Sequence, residues 1–211
     1  MEYLYCILMG YLVGSISPSY IIAKINGVNI KKSGSGNAGA SNVLILFGKA
    51  LGFICALLDI FKAFFIIMLA EYLFPQIDSV LAVTGTACIL GHIFPFYMKF
   101  RGGKGLACLG GMILIFDWRV FLGILFGEII LVLIVDYICF VPMSASVVFA
   151  VIYGAMTKDY IGMAVLFVGA AVIIFKHFEN IRRIREGREA HFSYLWKKEE
   201  KERMRKHIKK N

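Results

Sequence analysis

Charged side chains are scarce in this sequence. Only 18% of its 211 residues are Asp, Glu, Lys or Arg, whereas 59% are hydrophobic and the mean hydropathy is +0.75. A typical soluble domain carries a charge on about a quarter of its residues, so the composition excludes an ordinary soluble protein. It predicts an all-α, polytopic membrane protein with one domain.

Cysteine pairs and several familiar catalytic patterns are also missing. The five cysteines are isolated in or beside apolar segments and form no CxxC pair, so neither a disulfide framework nor a zinc site is predicted. No Gly-Lys-Ser/Thr closes a Walker A loop. We find no Ser-His-Asp set, glycosidase-type carboxylate pair or metal-ligand cluster in the sequence. We therefore expect a protein that works without a metal or another cofactor.

Long apolar segments account for most of the chain and predict about seven transmembrane helices. Pro18 is expected to kink the first segment near its inner end. The second segment exceeds one span, so its start is expected to lie along the interface or in the protein interior. The fourth segment is short for a full crossing. The predicted segments are residues 3–23, 43–74, 80–97, 106–116, 120–135, 141–156 and 160–175.

The distribution of Lys and Arg predicts the orientation of these segments. If the spans alternate in direction, twenty of the 23 basic residues fall on one side, Arg119 and Lys158 on the other, and Lys62 within a span. The positive-inside rule then puts the N-terminus outside and the C-terminus in the cytoplasm. The first apolar run has no basic n-region and no small-residue cleavage site, so a cleavable signal peptide is not expected.

The C-terminal part of the chain is strongly basic. Thirteen of the 23 Lys and Arg residues lie from Lys176 onward. We expect residues 1–189 to form a membrane-integral domain and residues 190–211 to form a basic cytoplasmic tail. Beside membrane spans, such a tail favours an anionic lipid leaflet over nucleic acid as its partner.

Three polar stretches, residues 33–42, 91–105 and 177–189, fall on the inner side in this topology. A site built from separate loops requires them on one side of the membrane, so their convergence favours a shared binding site. The middle stretch, GHIFPFYMKFRGGKG, contains glycines that permit positive φ angles and a close backbone approach. Its Gly-Gly-Lys-Gly turn is typical of an anion-binding nest, to which Lys104 adds a charge. The alternative is a basic loop that only determines topology.

The other two stretches are also polar, and each has two possible interpretations. The first, SGSGNAGASN, offers amides, hydroxyls and backbone N–H groups to an anion or a polyol, although it also resembles a flexible linker. His177, Asn180 and Arg183 are spaced at three residues, so on a helix they share one face. In one interpretation this face binds a phosphate, and in the other it is a solvated basic surface.

Three further residues are candidates for chemistry. His92 is expected to act as a general acid or base, or as a phosphate ligand, although an isolated histidine is more often structural. Asp59 and Lys62 are one helical turn apart within an apolar segment. Ionisable groups at membrane depth are costly unless paired or functional. We expect a mutual ion pair that stabilises helix packing, with Asp59 in a position to orient a loop residue.

The sequence resembles the bacterial membrane glycerol-3-phosphate acyltransferases that use acyl phosphate as donor. The resemblance rests on GSGNAGASN at 34–42, GHIFPFYMKFRGGKG at 91–105, HFENIRRIREGRE at 177–189 and the Asp59–Lys62 pair. It implies seven spans, location in the inner (plasma) membrane and an active site at the cytoplasmic face. It also implies acyl transfer from acyl phosphate to the 1-hydroxyl of glycerol 3-phosphate, with lysophosphatidate and phosphate as products of this step in phospholipid synthesis.

The resemblance also implies which residues form the site. Its catalytic residues are His92, Ser35 and Asn180. Its substrate- and phosphate-binding residues are Gly36, Asn37, Ser41, Asn42, Gly102, Gly103, Lys104, His177 and Arg183. The expected partners are glycerol 3-phosphate, acyl phosphate and membrane lipid, without nucleic acid.

Two positions depart from the family pattern. Ile45 stands where a basic residue is usual, and Cys139 stands where a serine is common. Both changes remove polarity near the expected site, so a divergent family member with an altered substrate is an alternative. A transporter for small anions is another alternative. The residues do not decide whether His92 or the phosphate of the donor takes the proton from the hydroxyl group.

Overall fold

A computed structural model describes residues 1–189 and 191–195 of the chain. All regular secondary structure in this part of the chain is helical, and it contains no β-strand. The α-helices are α1 (Glu2–Ser15), α2 (Pro18–Ile25), α3 (Ala40–Phe47), α4 (Lys49–Leu73), α5 (Val80–Ile93), α6 (Leu106–Phe116), α7 (Trp118–Val135), α8 (Phe140–Thr157) and α9 (Tyr160–Arg185). Short 3-10 helices follow at Phe96–Met98 and Phe192–Leu195. The predicted all-α class is therefore confirmed for the described residues.

Six helical segments are long and apolar enough to cross a membrane. They are Glu2–Ile25, Lys49–Leu73, Val80–Met98, Trp118–Val135, Phe140–Thr157 and Tyr160–Arg185. Helix α6 is as apolar as these segments but has only 11 residues, with the bounds expected from the sequence. At 1.5 Å per residue it is about 16 Å long, roughly half the thickness of a bilayer core.

Two of the predicted segments are interrupted in the structure. The first breaks between α1 and α2, and Pro18 becomes the first residue of α2 instead of a kink within one helix. The second breaks at Gly48, whose φ of +97° suits glycine and separates the short helix α3 from α4. The excess length of the second segment is therefore a separate helix in front of the span.

Helix α5 lies at the centre of the bundle. It contributes slightly more buried residues to the main hydrophobic core than any of α4, α6, α8 and α9, which supply the others. Helix α1 packs directly on it because glycines face the contact. A Cβ added to Gly14 would lie 2.1 Å from the Cys88 carbonyl oxygen, and one added to Gly91 would lie 2.2 Å from the Tyr11 carbonyl oxygen. The C-terminal end of α5, where His92 lies, is held in a narrow space as a result.

The chain beyond α9 folds back onto the turn between α7 and α8. The Asp136 carboxylate accepts hydrogen bonds from the Ser193 amide at 2.7 Å and the Ser193 hydroxyl at 2.9 Å, and its Oδ2 lies 3.1 Å from His191 Nδ1. Of the predicted tail at 190–211, only residues 191–195 are among the described residues.

Candidate functional site

His92 is enclosed by protein groups on both edges of its ring. It lies in the last turn of α5 and not in a loop, and only 5% of it is exposed. Its Nδ1 is 3.1 Å from Lys62 Nζ and 3.3 Å from Asp59 Oδ1. Its Nε2 faces Gly103 so closely that a Cβ there would be 2.1 Å away. The expectation that His92 acts as a general base does not fit these surroundings, because neither nitrogen faces an open space.

The Gly-Gly-Lys-Gly turn is packed against this end of α5. The Gly103 amide donates to the His92 carbonyl at 3.0 Å, and the Gly102 amide donates to the Ile93 carbonyl at 2.9 Å. A Cβ on Gly102 would be 2.1 Å from the His92 carbonyl oxygen. Positions 102 and 103 therefore require glycine, since a larger residue there would collide with His92. The predicted positive φ is found at Gly105 (+90°) and at neither Gly102 nor Gly103.

The N–H groups of Gly102 and Gly103 are therefore not available for the predicted anion nest. They are used by the carbonyl groups at the end of α5, which lack partners within that helix. The turn leads directly into α6, whose N-cap is Gly105 and whose first turn receives no hydrogen bond from a capping side chain. The N–H groups offered to an anion are those at the start of α6, where the helix dipole also favours negative charge.

Lys104 connects this turn to the third polar stretch. Its Nζ donates a hydrogen bond to Asn180 Oδ1 across the bundle, from the start of α6 to the last turns of α9. Burial, together with the nearby Arg183 charge, lowers the pKa of the Lys104 ammonium to about 8, although Glu189 acts in the opposite direction. A partly dehydrated ammonium with a lowered pKa gains from a bound anion.

Glu189 is a site residue that the sequence analysis assigned no role. Its carboxylate accepts from Asn180 Nδ2 at 2.6 Å and from Arg183 Nε at 2.7 Å, and its side chain is 12% exposed. Glu189 therefore holds Asn180 and Arg183 together, although it follows them by nine and six residues. The sequence indicated it only through its place in the stretch 177–189. The Asn180 amide and the Arg183 guanidinium that donate to this carboxylate, and the Lys104 ammonium that donates to Asn180, are also the kinds of donor that a phosphate requires.

His177 lies one turn before Asn180 and is also buried. Its Nδ1 is 2.7 Å from the Ile173 carbonyl oxygen. Because a carbonyl only accepts hydrogen bonds, Nδ1 carries the proton and the other ring nitrogen is free to accept one in the neutral ring. The predicted helical face of His177, Asn180 and Arg183 is thus present, and the structure brings Asn180 and Arg183 together through Glu189.

In the first polar stretch, Asn42 is fully buried and its side-chain amide is used within the protein. Its Oδ1 accepts from the Ser35 amide at 2.9 Å, and its Nδ2 donates at 3.0 Å to the carbonyl oxygens of both Ile30 and Ser33. Asn42 therefore holds the turn instead of facing a ligand, which corrects the expected binding role. Ser35, Gly36 and Ser41 are exposed, and Asn37 is partly exposed.

The first stretch contacts the second. A Cβ on Gly39 would be 4.0 Å from the Cα of Gly103. Lys31, two residues before the first stretch, donates a hydrogen bond from its ammonium to the Met98 carbonyl. Because the second stretch also contacts the third through Lys104, the structure joins the three sequence blocks into one polar region. A flexible linker between spans would not make these specific contacts.

Asp59, His92 and Cys108 form a group that the sequence did not indicate. Each offers one possible metal-ligand atom, and these atoms lie within 4.8 Å of one another. The residues are distant in sequence, which is why no cluster was found there. The ammonium of Lys62 lies 2.6 Å from Asp59 Oδ1 and 3.1 Å from His92 Nδ1, so a cation of the chain itself already occupies this position. The predicted Asp59–Lys62 ion pair is confirmed.

The two departures from the family pattern differ in their surroundings. Cys139 is buried at the start of α8, and burial followed by the nearby Glu189 charge raises the pKa of its thiol to about 11. It therefore adds a neutral thiol beside Lys104 and Arg183, whose charges also act on it. Ile45 is partly buried in α3.

The fold and this region define a polytopic membrane protein with a cluster of polar and basic side chains where α5, α6 and α9 meet. The sequence matches the glycerol-3-phosphate acyltransferase family over residues 4–187, and the chain belongs to that family. It is 36% identical to glycerol-3-phosphate acyltransferase 2 of Thermotoga maritima, over 86% of this chain and 92% of that protein. It is 40% identical to glycerol-3-phosphate acyltransferase 1 of Oceanobacillus iheyensis, over 87% and 92%.

The fold is similar to crystal structures of PlsY, an integral membrane glycerol 3-phosphate acyltransferase. The glycerol 3-phosphate form aligns with a TM-score of 0.83 at 32% identity, over 92% of this chain and 98% of that one. The lysophosphatidic acid form gives a TM-score of 0.81 at the same identity, over 92% and 97%. These similarities favour an acyltransferase over the small-anion transporter that the sequence left open.

Proposed function

We propose that this protein transfers an acyl chain from acyl phosphate to the 1-hydroxyl of glycerol 3-phosphate. The reaction yields lysophosphatidate and phosphate in phospholipid synthesis. Membership of the family supports acylation of glycerol 3-phosphate, and the two PlsY forms carry the acceptor and the product of such a reaction. The observation that carries the proposal is the contact of Lys104 with Asn180, which joins two separated polar stretches around donors suited to phosphate.

Acyl phosphate as the donor fits the residues that are present. It is a mixed anhydride and is already activated, so the enzyme needs no covalent intermediate. The hydroxyl oxygen attacks the carbonyl carbon, the bond from this carbon to the phosphate oxygen breaks, and phosphate leaves with the electron pair. The protein has to bind two phosphates, align the hydroxyl group and stabilise the developing negative charge.

The residues take different roles in this proposal. Lys104, Arg183 and the start of α6 bind phosphate, with Gly102 and Gly103 supporting the turn. The exposed part of the first stretch contacts the glycerol phosphate, and Asn42 positions it. Asn180 orients Lys104, and the free ring nitrogen of His177 accepts a hydrogen bond from a substrate. The contact residues of the first stretch are Ser35, Gly36, Asn37 and Ser41.

The phosphate of the donor is the proposed proton acceptor. His92 has its Nδ1 beside Lys62 and Asp59 and its other edge against Gly103, so it lacks access to a substrate hydroxyl. The departing phosphate gains basicity as the carbon–oxygen bond breaks, and the hydroxyl proton ends on it. His92 is then a positioning residue and not a base.

We propose seven crossings, with the N-terminus outside and the active site at the cytoplasmic face of the inner (plasma) membrane. The six long helices, the apolar helix α6 and the concentration of Lys and Arg on one side support this topology. Because α6 is about half as long as the bilayer core is thick, the Lys104 turn is proposed to lie below the membrane surface. Residues 1–189 are the proposed catalytic domain.

An assay of the purified protein tests the function. Glycerol 3-phosphate and palmitoyl phosphate should yield lysophosphatidate and inorganic phosphate in equal amounts, whereas palmitoyl-CoA should yield neither. Lys104→Met should lower kcat/KM roughly ten- to hundredfold, since a hydrogen bond to a charged group contributes about 1.5–3 kcal/mol. Lys104→Arg should retain part of the activity. Full activity of a folded Lys104→Met variant would contradict the proposed phosphate site. Formation of lysophosphatidate from glycerol 3-phosphate and palmitoyl-CoA, without acyl phosphate, would contradict acyl phosphate as the donor.

A further inference from the structure

Lys62 makes contacts far beyond its own helix. Its Nζ donates to the Gly14 carbonyl at 2.9 Å and to the Ile16 carbonyl at 2.6 Å, at the broken end of α1. The same atom lies 2.6 Å from Asp59 Oδ1 and 3.1 Å from His92 Nδ1. Its side chain is 9% exposed. One ammonium therefore joins three helices, α1, α4 and α5.

The break between α1 and α2 explains why a cation is needed there. The last carbonyl groups of a helix have no partner within that helix, and here Gly14 is buried in the bundle. An ammonium has three protons and no lone pair, so it satisfies several such oxygens at once. The negative end of the α1 dipole also favours a positive charge at this position. Lys62 thus stabilises the break and at the same time neutralises Asp59.

The contact with His92 links Lys62 to the site. The edge of the His92 ring opposite Lys62 lies directly against Gly103, and the His92 carbonyl receives the Gly103 amide at 3.0 Å. Lys104 is the next residue, and its Nζ reaches Asn180. A displaced imidazole would therefore move the backbone from which Lys104 extends.

We propose that Lys62 is a positioning residue for the reaction and acts through His92 and Gly103 on the phosphate-binding Lys104. This inference rests on the proposed function. A buried ion pair that only stabilised helix packing would need neither the contact with His92 nor the ring edge against Gly103. The group of Asp59, His92 and Cys108 has the same explanation, because the Lys62 ammonium serves as its cation.

A double-mutant cycle in purified protein tests whether Lys62 acts through Lys104. Lys62→Met should lower kcat/KM for glycerol 3-phosphate at least tenfold, chiefly by raising KM. Lys62→Met combined with Lys104→Met should be no more than about threefold worse than Lys104→Met alone, because the group that Lys62 positions is already gone. A lower fraction of folded protein would instead multiply the two effects. The cycle therefore separates positioning from a general loss of structure.

A second variant pair controls for the unpaired carboxylate that Lys62→Met leaves behind. Asp59→Asn removes that charge at almost the same volume. In the Asp59→Asn background, Lys62→Met should regain thermal stability but should not regain kcat/KM. Glu128→Gln is the matched control, since it removes a buried carboxylate of α7, whose partner is the Ser144 hydroxyl at 2.9 Å. It should leave KM for glycerol 3-phosphate unchanged.

Three results would overturn the inference in different ways. If the effects of Lys62→Met and Lys104→Met multiply, in either background, Lys62 does not act through Lys104, while the proposed function stands. If Lys104→Met keeps full activity, the phosphate site itself is wrong and the inference falls with it. Recovery of kcat/KM along with stability in the Asp59→Asn background would also overturn the inference, because the pair would then be structural only.

Discussion

Gly103→Ala is the most direct perturbation of the packing behind the site. The added Cβ would lie 2.1 Å from Nε2 of His92, 2.8 Å from Cε1 and 2.9 Å from Cδ2. Ordinary contacts begin near 3.4 Å, so the ring and the turn must separate by roughly 1.3 Å. The effect arises from this collision and not from backbone strain, because Gly103 does not have a positive φ angle.

The collision has no easy relief. The ring is buried, and its other edge faces Lys62 and Asp59, which are themselves paired. Overpacking a site of this kind costs about 1–3 kcal/mol of stability. A shift of about 1 Å in a substrate-positioning group is enough to lower the rate on the order of a hundredfold. We therefore expect kcat/KM to fall between ten- and a hundredfold, with a measurable drop in melting temperature.

Steady-state kinetics with acyl phosphate and a thermal unfolding scan in detergent measure both effects. Gly123→Ala is the matched control, since no atom lies within 4 Å of its added Cβ in α7. Alanine there should stabilise the helix by about 0.5–1 kcal/mol and leave kcat/KM unchanged. Wild-type kinetics and stability of Gly103→Ala would refute the close packing of this turn on His92, and with it the positioning of Lys104 by α5.

Three other measurements test separate parts of the proposal. With a Lys104 pKa of about 8, the charged fraction of this side chain in the free enzyme falls as the pH rises. The value of kcat/KM should then fall about tenfold between pH 7 and pH 9, and Lys104→Arg should move that fall to higher pH. An unchanged alkaline limb in Lys104→Arg would show that another group titrates. Activity should survive EDTA and dialysis because Lys62 supplies the cation beside Asp59 and His92. Loss that a divalent ion restores would reveal a metal site. For topology, an impermeant thiol reagent applied to intact cells should label Gln76→Cys but not Ser35→Cys, both in a variant without the five native cysteines. Labelling of Ser35→Cys would place the first stretch outside.

The sequence by itself determined the properties that depend on neighbouring residues along the chain. The apolar segments predicted the helices because a span needs a continuous run of hydrophobic residues. The spacing of His177, Asn180 and Arg183 predicted one helical face, and α9 does continue through them to Arg185. The Asp59–Lys62 pair followed from a separation of one helical turn. The three polar blocks together indicated the family to which the chain belongs.

Only the tertiary structure decided how these helices face one another. A membrane span is apolar around its whole circumference, so its sequence carries little information about which side is turned inward. The rotation of α5 puts His92 between Lys62 and Gly103, and this position is the reason we propose that His92 supports the site and does not act as a base. It also gives Gly103 a steric reason to be glycine. Contacts between distant residues, such as Lys104 with Asn180, depend on the relative depth and angle of packed helices, which no local spacing specifies.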